Sequence, residues 1–113
     1  MILTVLQYIA CGLTILVGAY SLFAPTSAGK FTGLTPEGGR GITEIRAVLG
    51  MLFVALGAYP IIFPSDTAFH MLGFTYLLIG MARLISIFVD KSGNQSNWVS
   101  VASEFVLGAI LLF

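Results

Sequence analysis

Glu44, Arg46, Arg83 and Glu104 are ionisable residues set in stretches otherwise apolar enough to cross a membrane. Two acids and two bases in such surroundings can do three kinds of chemistry. They can neutralise one another as ion pairs, line a path for a proton or ion, or hold the polar head of a lipid- or quinone-like ligand. Leaving them alone is costly: a charge at the centre of a spanning helix costs roughly 2.5–3.5 kcal/mol on insertion scales. Each therefore needs a partner, water or a route to the headgroups. Arginine neighbours hold glutamates ionised, so the balanced set favours a neutral, register-fixing knot over a proton relay.

The elements that must carry these residues follow from composition. Of 113 residues, 58% are hydrophobic and 9% charged, far below the charged fraction of a water-soluble domain. Zero formal net charge gives no basic footprint for nucleic acid. The single cysteine, Cys11, allows no intrachain disulfide and no CxxC motif. His70 has no second His or Cys to build a zinc site, and no cofactor ligand set is legible. The segment TPEGGRG (Thr35 to Gly41) lacks the spacing of a phosphate-binding loop.

Apolar runs predict four transmembrane helices, about 2–24, 42–63, 67–89 and 97–113, in one all-α domain. Pro25 closes the first, Pro60 lies in the last turn of the second, and Ser65 or Asp66 is placed to cap the third. The first run lacks the basic n-region of a signal peptide. The expected architecture is an antiparallel, up-down four-helix membrane bundle. The connection Pro25 to Gly41 and the short Asp90 to Ser96 loop lie on one side with Lys30, Arg40 and Lys91. The positive-inside rule places that side in the cytoplasm and both termini outside.

Within that topology Arg46, Arg83 and Glu104 lie at similar depth, about 6–10 Å inside one leaflet. Helical phase gives each a glycine one turn away: Gly50 for Arg46, Gly80 for Arg83 and Gly108 for Glu104. Small residues mark close helix–helix contacts in membranes. Tyr76 shares the Arg83 face. In the first helix Gln7, Cys11, Thr14, Gly18 and Ser21 recur at helical spacing and form a polar stripe expected to face inward. Cys11 itself reads as a small packing residue. Glu44, two residues from Arg46, points elsewhere. The economical pairing is Glu104 with one of Arg46 and Arg83, and Glu44 with the other.

A weak internal repeat relates LVGAYSLFAP (Leu16 to Pro25) to ALGAYPIIFP (Ala55 to Pro64), and RAVLG (Arg46 to Gly50) to EFVLG (Glu104 to Gly108). It suggests two helical hairpins related by a pseudo-two-fold, with Arg46 and Glu104 at equivalent points near its axis.

The stretch GITEIRAVLGMLFVALGAY (Gly41 to Tyr59) resembles the signature segment of DUF4345, a family of small bacterial membrane proteins. The family's acidic-x-Arg-Ala-x-x-Gly pattern is matched here by Glu44, Arg46, Ala47 and Gly50, and LIGMARLIS (Leu78 to Ser86) and Glu104 fit the same outline. The resemblance implies four helices in a bacterial cytoplasmic membrane and kinship with the DoxX-like group, some members of which are linked to quinone or sulfur redox chemistry. It implies no reaction for this chain. The expected function is a non-enzymatic scaffold or accessory subunit with a buried ion-pair network, as a homo-oligomer or within a larger membrane complex. The alternative is a site for a quinone- or lipid-like ligand, or a small ion or proton transporter.

Overall fold

In a computed structural model describing residues 1–113, the chain is entirely helical. Helix α1 (Ile2–Phe23) is followed by α2 (Pro25–Thr32). Next come α3 (Gly38–Glu44), a π-helical segment (Ile45–Met51) and α4 (Leu52–Ile62), which run on as one helix, Gly38–Ile62. Helices α5 (Asp66–Val89) and α6 (Gln95–Leu112) complete the chain. Continuous helices thus number five, not the four expected. Three of them are long and apolar enough to cross a membrane: Ile2–Phe23, Gly38–Ile62 and Asp66–Val89. Helix α6 is not among these; Gln95, Asn97, Ser100, Ser103 and Glu104 dilute its apolar character.

The extra helix, α2, lies in what the sequence suggested was loop. Ala24 leaves the helical region at φ −131° and ψ 62°, as a residue before proline tends to. Pro25 then opens α2 at a position where its missing N–H costs nothing. Gly33 ends it at φ 81°, with the Leu34 N–H on the Gly29 carbonyl at 2.7 Å, a Schellman-type stop that favours glycine. The next helix begins at Gly38, one turn before the expected Ile42. Ser65 caps α5 by accepting from the Ala68 N–H at 3.0 Å, and Asn94 caps α6 by accepting from the Asn97 N–H at 2.9 Å.

The chain divides into two compact units, Tyr8–Phe63 and Met1–Gln7 with Pro64–Phe113. In the first unit, most of α1 packs antiparallel on the Gly38–Ile62 helix through glycines. A Cβ on Gly18 would lie 2.6 Å from the Gly50 carbonyl oxygen, and one on Gly57 would lie 2.6 Å from the Cys11 carbonyl oxygen. Backbones this close gain van der Waals contact that lipid cannot supply. The α1 stripe is what meets them: Cys11, Thr14, Gly18 and Ser21 are buried, and the Thr14 hydroxyl returns to the Ala10 carbonyl at 2.8 Å.

The π segment is explained by the same contact. Ile45 and Gly50 are both buried, Ile45 beneath Gly29 of α2 and Gly50 against Leu22 of α1. Residues five apart diverge by ~140° in an α-helix. The wider i→i+5 turn, seen where the Leu52 N–H reaches the Ala47 carbonyl, stacks them on one face.

In the second unit, α5 and α6 form an antiparallel hairpin. A Cβ on Gly73 would lie 3.0 Å from the Gly108 carbonyl oxygen, and one on Gly108 3.1 Å from that of Gly73. Leu111 is fully buried beside them. The Gln7 side-chain amide donates to the Ile110 carbonyl at 3.2 Å, satisfying one of the four carbonyls that a helix C-terminus leaves free. Phe88 and Trp98 stack edge to face at the other end, ring centroids 6.1 Å apart.

Because the Gly57 contact is with backbone, Gly57→Ala is expected to destabilise the protein by about 1–3 kcal/mol. Gly12, with nothing near its would-be Cβ, is the control. A thermal melt in detergent should drop for Gly57→Ala and hold for Gly12→Ala; equal melting points would contradict the glycine contact.

Candidate functional site

Gly80 of α5 lies opposite Glu104 and Phe105 of α6. Its would-be Cβ lies 3.4 Å from both the Glu104 Cβ and the Phe105 ring, so Glu104 faces α5 one turn from Arg83. The Arg83 Nε donates to Glu104 Oε1 at 2.9 Å and to Oε2 at 3.1 Å, and Nη2 donates to Oε2 at 2.9 Å. This fork-on-carboxylate geometry is the strong form of the arginine–carboxylate bond. The remaining Nη1 donates to Asn97 Oδ1 at 3.1 Å.

Asn97 carries the network into the turn between the helices. Its Nδ2 donates to the Ser92 carbonyl at 2.9 Å, while the Ser92 N–H reaches back to the Ile87 carbonyl at 3.1 Å. The Asp90 N–H bonds to the Ser86 carbonyl at 2.7 Å, and the Ser86 hydroxyl meets the Asp90 carboxylate. Arg83 thus ties α5 to α6 and to the loop that joins them. Glu104 is buried, whereas the Arg83 side chain keeps 34% of its surface.

The other two charges do not join this pair. Glu44 pairs with Arg40, one turn earlier on the same helix, and both side chains are largely exposed. The expected pairing of Glu44 with Arg46 or Arg83 is therefore not formed. It was hidden because a helix beginning at Ile42 leaves Arg40 in a loop. With the helix beginning at Gly38, Arg40 and Glu44 stand at i and i+4 and meet on the surface.

Arg46 is exposed and lies within 4.0 Å of no carboxylate. The shared face expected for Arg46 and Gly50 fails because the π turn assigns the buried positions to Ile45 and Gly50. Glu104 is paired with Arg83 of its own hairpin. The repeat does relate Gly50 and Gly108, each of which seats the second helix of a hairpin on the first.

Tyr76 is buried in α5 with Ile87, on the side of that helix that faces its neighbours. Gln7, Cys11, Thr14 and Ser21 serve packing and hydrogen bonding along α1 as described above. Two participants were missed in the sequence, Asn97 and Arg40. Asn97 resembled an ordinary polar residue at a helix start, and only the folded turn brings its carboxamide to Arg83.

Arginine and carboxylate in this arrangement hold each other through three N–H···O contacts. Breaking the pair with Glu104→Leu leaves Arg83 without its main acceptor. The expected loss is toward the lower end of the roughly 3–5 kcal/mol seen for severed buried pairs, since a third of Arg83 is exposed. Arg40→Leu, on an exposed and solvent-screened pair, should cost far less. Detergent melts of the two variants test this contrast, and equal shifts would refute it.

The DUF4345 family model, described as a domain of unknown function, matches residues 2–113. Comparison with curated proteins and with solved structures gives no match. The chain belongs to the DUF4345 family.

Proposed function

We propose that this DUF4345 protein is a non-enzymatic scaffold or accessory subunit of the bacterial cytoplasmic membrane, built as a four-helix membrane bundle of the DoxX-like kind. The observation that carries this reading is the engagement of Arg83 by α6. All three of its nitrogens are engaged by Glu104 and Asn97, which supports a pair that serves to join helices. Pairing also removes the chief obstacle to α6 as a fourth crossing, because its one charge, Glu104, does not face lipid unpaired. Helix α2 is then an addition at the membrane surface, in the connection that holds Lys30.

In this reading Lys30, Arg40 and Lys91 mark the cytoplasmic side, and both termini are periplasmic. Exposed Leu, Ile, Val and Phe side chains cover much of the surface, suiting it to lipid and to neighbouring helices. With little polar surface of its own, such a protein acts by assembly, as a homo-oligomer or within a larger complex.

Native mass spectrometry after extraction in mild detergent tests the proposal. Self-association or a stable protein partner is expected, and Glu104→Leu should weaken it by loosening α5 from α6. Recovery of only free single chains, with turnover of an added quinone, would overturn it. A Lys91→Cys variant should be labelled from the cytoplasmic side; labelling from the periplasm would reverse the orientation.

A further inference from the structure

Among the charges of the Tyr8–Phe63 unit, Arg40 and Glu44 neutralise each other. Lys30, Glu37 and Arg46 remain, all exposed and none in an ion pair. Arg46 is the exception within the long helix Gly38–Ile62, since it interrupts an apolar segment without a protein acceptor.

Its depth says where an acceptor must lie. From Ala47 to Phe63 the chain has no charged residue, and this run rises about 25 Å as a helix. The hydrocarbon core is about 30 Å thick. Arg46 therefore stands at the edge of that core, where a flexible stem brings the guanidinium up to the headgroups.

Helix α2 is held against this same point. Its small residues Ala28 and Gly29 are buried, and a Cβ on Gly29 would touch the Ile45 Cδ1 at 3.5 Å. Lys30 follows Gly29 and Arg46 follows Ile45, so each cation is the next residue in sequence after one member of that contact. Beside them Phe31 is exposed, an aromatic suited to the headgroup boundary. Glu37, at the start of α3, is the only unpaired acid of the unit.

We propose that Arg46 and Lys30 bind the phosphate of an anionic phospholipid at the hydrocarbon–headgroup boundary. The π turn serves this site by turning Arg46 outward while Ile45 and Gly50 stay packed. Arginine offers a planar fork for phosphate oxygens, and the lysine ammonium adds a second charge. This proposal does not depend on the scaffold reading.

The test is native mass spectrometry of the purified chain with equimolar phosphatidylglycerol and phosphatidylcholine. Preferential retention of phosphatidylglycerol is expected. Arg46→Gln and Lys30→Gln should each lower that retention about fivefold, whereas Arg40→Gln should leave it unchanged. Arg46→Lys keeps the charge and should retain most of the binding, which covers the event that Arg46→Gln folds poorly. Equal retention of both lipids, or equal effects of Arg40→Gln and Arg46→Gln, would overturn the proposal. Displacement of the lipid by millimolar inorganic phosphate would reassign the site to a free anion. Loss of self-association in Arg46→Gln with lipid retention intact would reassign Arg46 to an acidic protein partner.

Discussion

Burying Glu104 is the constraint on which the α5–α6 hairpin turns. A carboxylate inside an apolar helix is tolerated only when its charge and its lone pairs are met. Arg83 meets both carboxylate oxygens and then uses its last nitrogen on Asn97. The register of α6 on α5 follows from that geometry, because a slip of one residue would turn Glu104 away from the guanidinium. Gly73 and Gly108 make the close approach of the two helices possible, and Asn97 extends the constraint into the Asp90–Asn94 turn.

The Tyr8–Phe63 unit reaches a comparable closeness with its one ion pair, Arg40–Glu44, confined to a single helix. There the contact is backbone against backbone, with Gly18, Gly50 and Gly57 as the points of approach. Keeping Gly50 against α1 while Ile45 lies under α2 demands a spacing that an α-helix does not offer. The π turn supplies it and has a second effect, since it leaves Arg46 on the outside. That local adjustment of backbone thus accounts for the exposure of Arg46.

The two arginines consequently support different roles. Arg83 is consumed by its own fold, which favours a joining function for the Arg83–Glu104 pair. Arg46 has no such acceptor and is set at the height of the headgroups, which favours recognition of something outside the chain.

Much of the fold was legible in the sequence. The three long helices, the Ser65 cap and the buried positions of Cys11, Thr14, Gly18 and Ser21 follow from uncharged runs, a capping residue and helical spacing. Family membership was likewise readable from Glu44, Arg46, Ala47 and Gly50 and is shown by the match to residues 2–113. Helix α2 was written in Pro25 and Gly33 but masked by the Thr and Gly content of its surroundings. What the sequence by itself determined was which residues carry charge inside apolar helices, because hydropathy is a local property. Which charge pairs with which was decided only in three dimensions. An early helix start gave Glu44 to Arg40, a close glycine contact gave Glu104 to Arg83, and a π turn left Arg46 outside. Each depends on helix phase and approach, which change by a full face for one residue of shift and are set by packing against other segments.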